Sequence, residues 1–163
     1  MPRTFRIDRA SLDANYRTLQ TIVHPDKFAS RPAAEQRIAA ARSADLNTAY
    51  QVLKNSAQRA QYLCDLQVNT QEKNADRSLS PAFLMEQMDL REALADAKSA
   101  CDQPTLANLS SQVSTAKRQT EQALNKLLDD DGNYAAAQMK INELMFLEKL
   151  LTEIGDVQAA LDH

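Results

Sequence analysis

The chain has 163 residues, 44% apolar and 25% charged, with only two glycines, Gly132 and Gly155, where average usage near 7% would give about eleven. So little glycine excludes a G-x-G-x-x-G dinucleotide loop and a G-x-x-x-x-G-K-[ST] phosphate loop, which need clustered glycine to bring backbone N–H groups to phosphate, and it disfavours a turn-rich sandwich or barrel. Nineteen basic against 22 acidic residues, a net charge of -3, give no nucleic-acid footprint.

In chain order, Asp8 is the N-cap of a first helix running to about Val23, with Leu12, Tyr16, Leu19 and Val23 on one face. The helix stops at His24, because Pro25 disfavours the α conformation in the residue before it. A polar loop follows. A second helix runs from about Pro32 to Lys54, with mostly small apolar residues: Ile38, Ala41, Ala44, Leu46, Ala49, Tyr50 and Leu53. The two helices form an αα-hairpin. A short third helix spans about Ser56 to Leu66. Residues 67–80 are polar and aperiodic and mark a linker.

Ser80-Pro81 reads as N-cap and first helical residue of a helix to about Ala100. Phe83, Leu90, Leu94 and Ala97 form its core stripe. Asp102 and Pro104 open the next helix, which carries Leu106, Leu109, Val113, Ala116, Ala123, Leu124, Leu127 and Leu128 at three-four spacing and ends where Gly132 takes a left-handed conformation. Asn133 caps a last helix through about Leu161. Its expected core stripe is Leu144, Leu147, Leu151 and Ile154, with Phe146 well off it on the side of Met139 and Leu150. Gly155 lies inside this helix and suggests close packing. The fold class expected is all-α: a helical hairpin followed by an antiparallel three-helix bundle.

No catalytic constellation stands out. His24 and His163 are the only histidines, too few for a multi-histidine metal site. Cys64 and Cys101 lie outside any C-x-x-C spacing and read as buried or semi-buried free thiols of a reducing cytoplasm. No apolar run approaches the roughly 18 residues of a membrane span, and no secretory signal precedes Phe5.

Two features invite partners instead. In His24-Pro25-Asp26 the proline stiffens a turn at a hairpin tip, and Asp26 offers a carboxylate to a partner's arginine. A helix C-cap and an Asx-turn account for the tripeptide equally well. In the helix from Pro81, Leu84, Met85 and Met88 fall on a second face with Arg91 and Glu92. Large apolar residues beyond the core stripe suggest a protein-binding patch, or packing against another helix.

Tyr16-Arg17-Thr18-Leu19, then His24-Pro25-Asp26-Lys27-Phe28, then an alanine-rich helix with Asn47, Ala49, Tyr50 and Leu53, then Arg59-Ala60-Gln61-Tyr62, together resemble a J-domain. Such domains dock on a heat-shock ATPase chaperone and stimulate its ATP hydrolysis. The resemblance assigns chaperone binding to His24, Pro25 and Asp26, with Lys27, Arg17 and Arg9 as basic flank, though Thr21 stands where a basic residue is common. The stretch from Ser80 to Glu92 is similar to the FLMEQLELRE stretch of the HscB family of J-type co-chaperones, with Met88 and Asp89 in place of Leu and Glu. Leu144-Met145-Phe146-Leu147-Glu148-Lys149-Leu150 is similar to that family's final helix.

The resemblance implies a J-domain at 1–66 without its first helix, since the chain begins at Pro2 where that segment ends and part of the J-domain core would be exposed. It implies a linker at 67–80 and a bundle at 81–163, in an L shape. It implies a cytoplasmic co-chaperone, not an enzyme and without cofactor or metal, that brings an IscU-type iron–sulfur scaffold to an HscA-type chaperone. The scaffold-binding residues would be Leu84, Met85, Met88, Asp89, Arg91, Glu92 and Phe146. Nucleic acid and membrane are not expected partners. A J-domain protein with another client, and a structural helical adaptor, are the alternatives.

Overall fold

The computed structural model describes residues 4–67 and 80–161. All regular structure among them is helical. The expected linker at 67–80 lies outside the described residues except for its ends, Gln67 and Ser80.

Helix α1 (Arg9–Val23) starts where the Asp8 carboxylate accepts the N–H groups of Ala10 and Ser11, satisfying donors that the first turn leaves unpaired. A 3-10 turn, Pro25–Phe28, leads to α2 (Ala33–Lys54), and α3 (Ser56–Gln67) follows at once. The Ser80 hydroxyl caps α4 (Pro81–Ser99), the Asp102 carboxylate caps α5 (Gln103–Asn125), and the Asn133 side chain accepts the Ala136 N–H at the start of α6 (Tyr134–Leu161). Each expected cap is in place.

The end of α5 holds a feature the periodicity did not show. Residues Lys126–Asp130 widen into a π-turn, closed by the Asp131 N–H on the Lys126 carbonyl at 2.8 Å, before Gly132 reverses the chain at φ 62°. The extra residue per turn rotates Asp129 toward the N-terminal segment. There its carboxylate accepts the backbone N–H groups of Phe5 at 2.6 Å and Arg6 at 2.9 Å.

Two apolar clusters share α6. The first joins Phe5 and the Ala57, Ala60, Leu63 and Cys64 of α3 to Leu124, Leu128, Ala137, Ile141 and Leu144. The second joins Leu90, Leu94 and Ala97 of α4 to Leu106, Leu109 and Val113 of α5 and Leu147, Leu150 and Ile154 of α6. Each leucine or isoleucine buried here contributes about 1.5–3 kcal/mol. Because α6 is covered by α3, α4 and α5, its buried stripe is wider than one surface helix needs. Leu150 is therefore core, not a companion of an exposed Phe146, and Leu151 is only half-buried.

The hairpin is thinner. Leu12 and Ala39 are buried, but Leu19 and Ile38, expected on the inner faces, are exposed. The helices are joined by polar-edged aromatics instead. The Tyr16 and Tyr50 rings stack with centroids 4.0 Å apart, and each hydroxyl donates across the hairpin, Tyr16 to Asn47 at 2.8 Å and Tyr50 to Asp13 at 2.9 Å.

Buried Arg59 holds α3 to the N-terminal segment. Its Nε donates to the Phe5 carbonyl at 2.9 Å, Nη1 donates to the Leu53 carbonyl, and the guanidinium lies 4.8 Å from the Phe5 ring centroid. Beyond the apolar cluster, Asn55 donates to Glu148 at 2.7 Å, and Gln61 and Gln138 bond each other. Lys117 lies between Glu121 and Glu148, at 3.5 and 3.6 Å. Of the two thiols, Cys64 is buried, and burial pushes its pKa up to about 11. Cys101 is exposed at the α4–α5 turn, contrary to the buried reading. Gly155 is also exposed, with nothing within 4 Å of where a Cβ would stand, so it is not there for close packing.

Candidate functional site

The hairpin tip is set by one proline. Pro25 holds His24 extended, φ -60° and ψ 127°, so His24 is at once the C-cap of α1 and the N-cap of the 3-10 turn. Its Nδ1 accepts the Asp26 N–H at 3.3 Å. The Asp26 carboxylate lies 3.5 Å from the same Nδ1. Asp26 projects from the tip with a side chain 90% exposed. His24 thus takes the helix-cap role, and the Asp26 carboxylate is exposed.

The rest of the loop is pinned from α2, where Gln36 donates to the carbonyls of Ala29 at 3.1 Å and Arg31 at 2.8 Å. Lys27 and Arg17 are exposed beside this tip and on α1. Arg9 is engaged elsewhere, donating to the Lys54 carbonyl at the far end of the hairpin. The sequence reading missed an apolar groove of about 300 Å³ at the tip, formed by Ile22, Val23, Phe28, Ile38 and Ala39 and edged by Glu35 and Arg42. The available signal was Ile22, a large apolar residue off the inner stripe of α1.

On α4 the caps and core stripe fix which side faces out. Phe83, Leu90, Leu94 and Ala97 are buried as expected. Leu84, Met85, Met88, Asp89, Arg91 and Glu92 are all exposed. At about 100° per residue Met88 falls between Leu84 and Met85, with Arg91 and Glu92 on either flank and Asp89 at the edge. Phe146 is placed differently from expectation. Where α4 crosses α6 it is half-buried, edge-on to Phe83 at 5.7 Å and beneath the Arg91 guanidinium at 5.5 Å. It borders the exposed face beside Arg91. No group of three or more His, Cys, Asp or Glu able to hold a metal occurs among the described residues, and none of the described helices is long and apolar enough to cross a membrane.

A capped, proline-stiffened hairpin tip and an exposed apolar face on a bundle helix mark an all-helical protein. Comparison with known proteins gives that class a name. Residues 79–155 match the family described as HSCB C-terminal oligomerisation domain. Over 163 residues the chain is 39% identical to the co-chaperone protein HscB homolog of Azoarcus sp. (strain BH72), covering all of this chain and 92% of that protein. It is also 39% identical to the HscB homolog of Ralstonia nicotianae, covering 99% of this chain and 92% of that one. Among solved structures it is similar to the chaperone HscB from Vibrio cholerae, with a TM-score of 0.85 and 34% identity over 99% of this chain and 94% of that one. It is similar as well to the human co-chaperone HscB, with a TM-score of 0.82 and 26% identity over 94% and 76%. The chain belongs to the HscB family of co-chaperones.

Proposed function

We propose that this chain is a non-enzymatic cytoplasmic co-chaperone that binds an IscU-type iron–sulfur scaffold, brings it to an HscA-type ATPase chaperone and stimulates that chaperone's ATP hydrolysis during cluster transfer. Residues 1–66 engage the chaperone and 81–163 the scaffold. The observation that carries the reading is the hairpin tip, where the His24 ring caps the turn and the Asp26 side chain, 90% exposed, stands open to a partner's cation. A charge-assisted pair made there is among the stronger single contacts a small surface offers. Lys27 and Arg17 add positive charge for an acidic face of the chaperone. On α4, Leu84, Met85 and Met88 supply apolar contact area, and Asp89, Arg91 and Glu92 the polar rim, with Phe146 behind Arg91. No nucleic acid, membrane, metal or cofactor takes part. Holding client and ATPase at once raises the effective concentration of one for the other.

Titration calorimetry of the IscU-type scaffold against the full chain tests the scaffold half of this reading. The wild type binds, and Leu84→Ala together with Met88→Ala weakens binding at least about tenfold, with the melting temperature within about a degree of the parent because neither side chain is in the core. Undiminished binding by the double variant contradicts the assignment.

A further inference from the structure

The chain has five methionines, and none of the four described is in the buried core. Two of them, Met85 and Met88, stand one turn apart on the outer face of α4, 69% and 70% exposed. Met139 and Met145 on α6 are 39% and 42% exposed. A thioether so open to water is soft, polarisable and accessible to oxidant from solvent. Oxidising it leaves the fold alone, because none of the described methionines is part of the buried core. The same two side chains lie in the middle of the apolar patch beside Leu84.

We propose that Met85 and Met88 are an oxidation site for two-electron oxygen donors such as hydrogen peroxide, and that their sulfoxides switch off partner docking on α4. The switch rests on the docking role proposed above for this face. In the step itself a thioether sulfur lone pair attacks one peroxide oxygen. The O–O bond breaks as the S–O bond forms. The transferred oxygen gives up its proton to the departing hydroxide, which leaves as water. Sulfur is oxidised by two electrons and the peroxide is reduced to water. In the free protein the new S–O dipole is solvated. Docking would remove that water and leave a strong acceptor without a donor in an apolar contact, which disfavours the complex.

The thiols do not share this role. Cys64 is buried, with its pKa pushed up to about 11, and so holds little reactive thiolate. Exposed Cys101 lies at the other end of α4 and is removed from the test by Cys101→Ser.

The test uses the full chain carrying Cys101→Ser, treated with graded hydrogen peroxide, mapped by peptide mass spectrometry and titrated against the IscU-type scaffold. Met85 and Met88 gain oxygen before Met139 and Met145, the helical circular dichroism and melting temperature hold, and scaffold affinity falls at least about tenfold. Methionine sulfoxide reductase restores it. In the Met85→Leu, Met88→Leu variant, treated and untreated samples differ by no such factor. Unchanged affinity with both residues fully oxidised overturns the switch alone, as does an equal loss in the leucine variant. Failure of untreated protein to bind the scaffold overturns the docking reading and the switch with it.

Discussion

Cys101 occupies a conformation that its side chain disfavours. At φ 52° it is left-handed, ending α4 while the Asp102 N–H reaches back to the Ala97 carbonyl at 3.0 Å. A Cβ costs roughly 1 kcal/mol there, so Cys101→Gly raises stability by about that much in urea unfolding, although glycine loosens the unfolded chain. Gly155 is the converse. It sits inside α6 with open space around it, and Gly155→Ala adds about 0.5–1 kcal/mol by the same measurement. Of the residues with positive φ, Gly132 was readable because a lone glycine after an acidic helix end has few other uses. Cys101 was not, because cysteine carries no turn signal. Gly155 misled, because an exposed helical glycine and a closely packed one look alike in sequence.

The helix ends were legible because each cap is a local event, a short polar side chain two or three residues from the N–H it accepts. Two caps also set an acid response. Hydrogen bonds from the Ser11 hydroxyl and the Ala10 N–H hold the Asp8 carboxyl below its usual value, and those from the Thr105 hydroxyl and N–H do the same for Asp102. With folded values below unfolded ones, the stability these carboxylates contribute is complete above the unfolded value and is lost as pH falls below about 4 through the folded values. The Asp8→Asn, Asp102→Asn variant therefore loses melting temperature less steeply over that range than the parent. What was not legible is long-range. Nothing near Arg59 in sequence points to Phe5, 54 residues away, or to the π-turn that aims Asp129 at the same segment. Leu150 and Phe146 were misplaced because a helix covered on three sides has no single stripe. Arg59→Met removes the donors to the Phe5 and Leu53 carbonyls and costs about 1–3 kcal/mol for buried groups left unpaired, read as a fall in melting temperature.

At the scale of the whole chain, the hairpin tip and the outer face of α4, the two proposed contact surfaces, are joined through α3 and α6. Phe5, Arg59 and Asp129 tie the entry to α1 onto the end of α5, and Asn55–Glu148 and Gln61–Gln138 link α2 and α3 to α6. The scarcity of glycine that excluded a phosphate loop fits the proposed division of labour, in which a partner binds and hydrolyses ATP while this chain contributes helices and two faces. The most direct measurement of that claim is steady-state ATP turnover by the cognate HscA-type chaperone, with scaffold present, on adding wild-type chain or His24→Gln. The wild type raises turnover, and His24→Gln abolishes most of the increase while scaffold binding at the proposed α4 face persists. Equal stimulation by the two proteins, or none by the wild type, would contradict it.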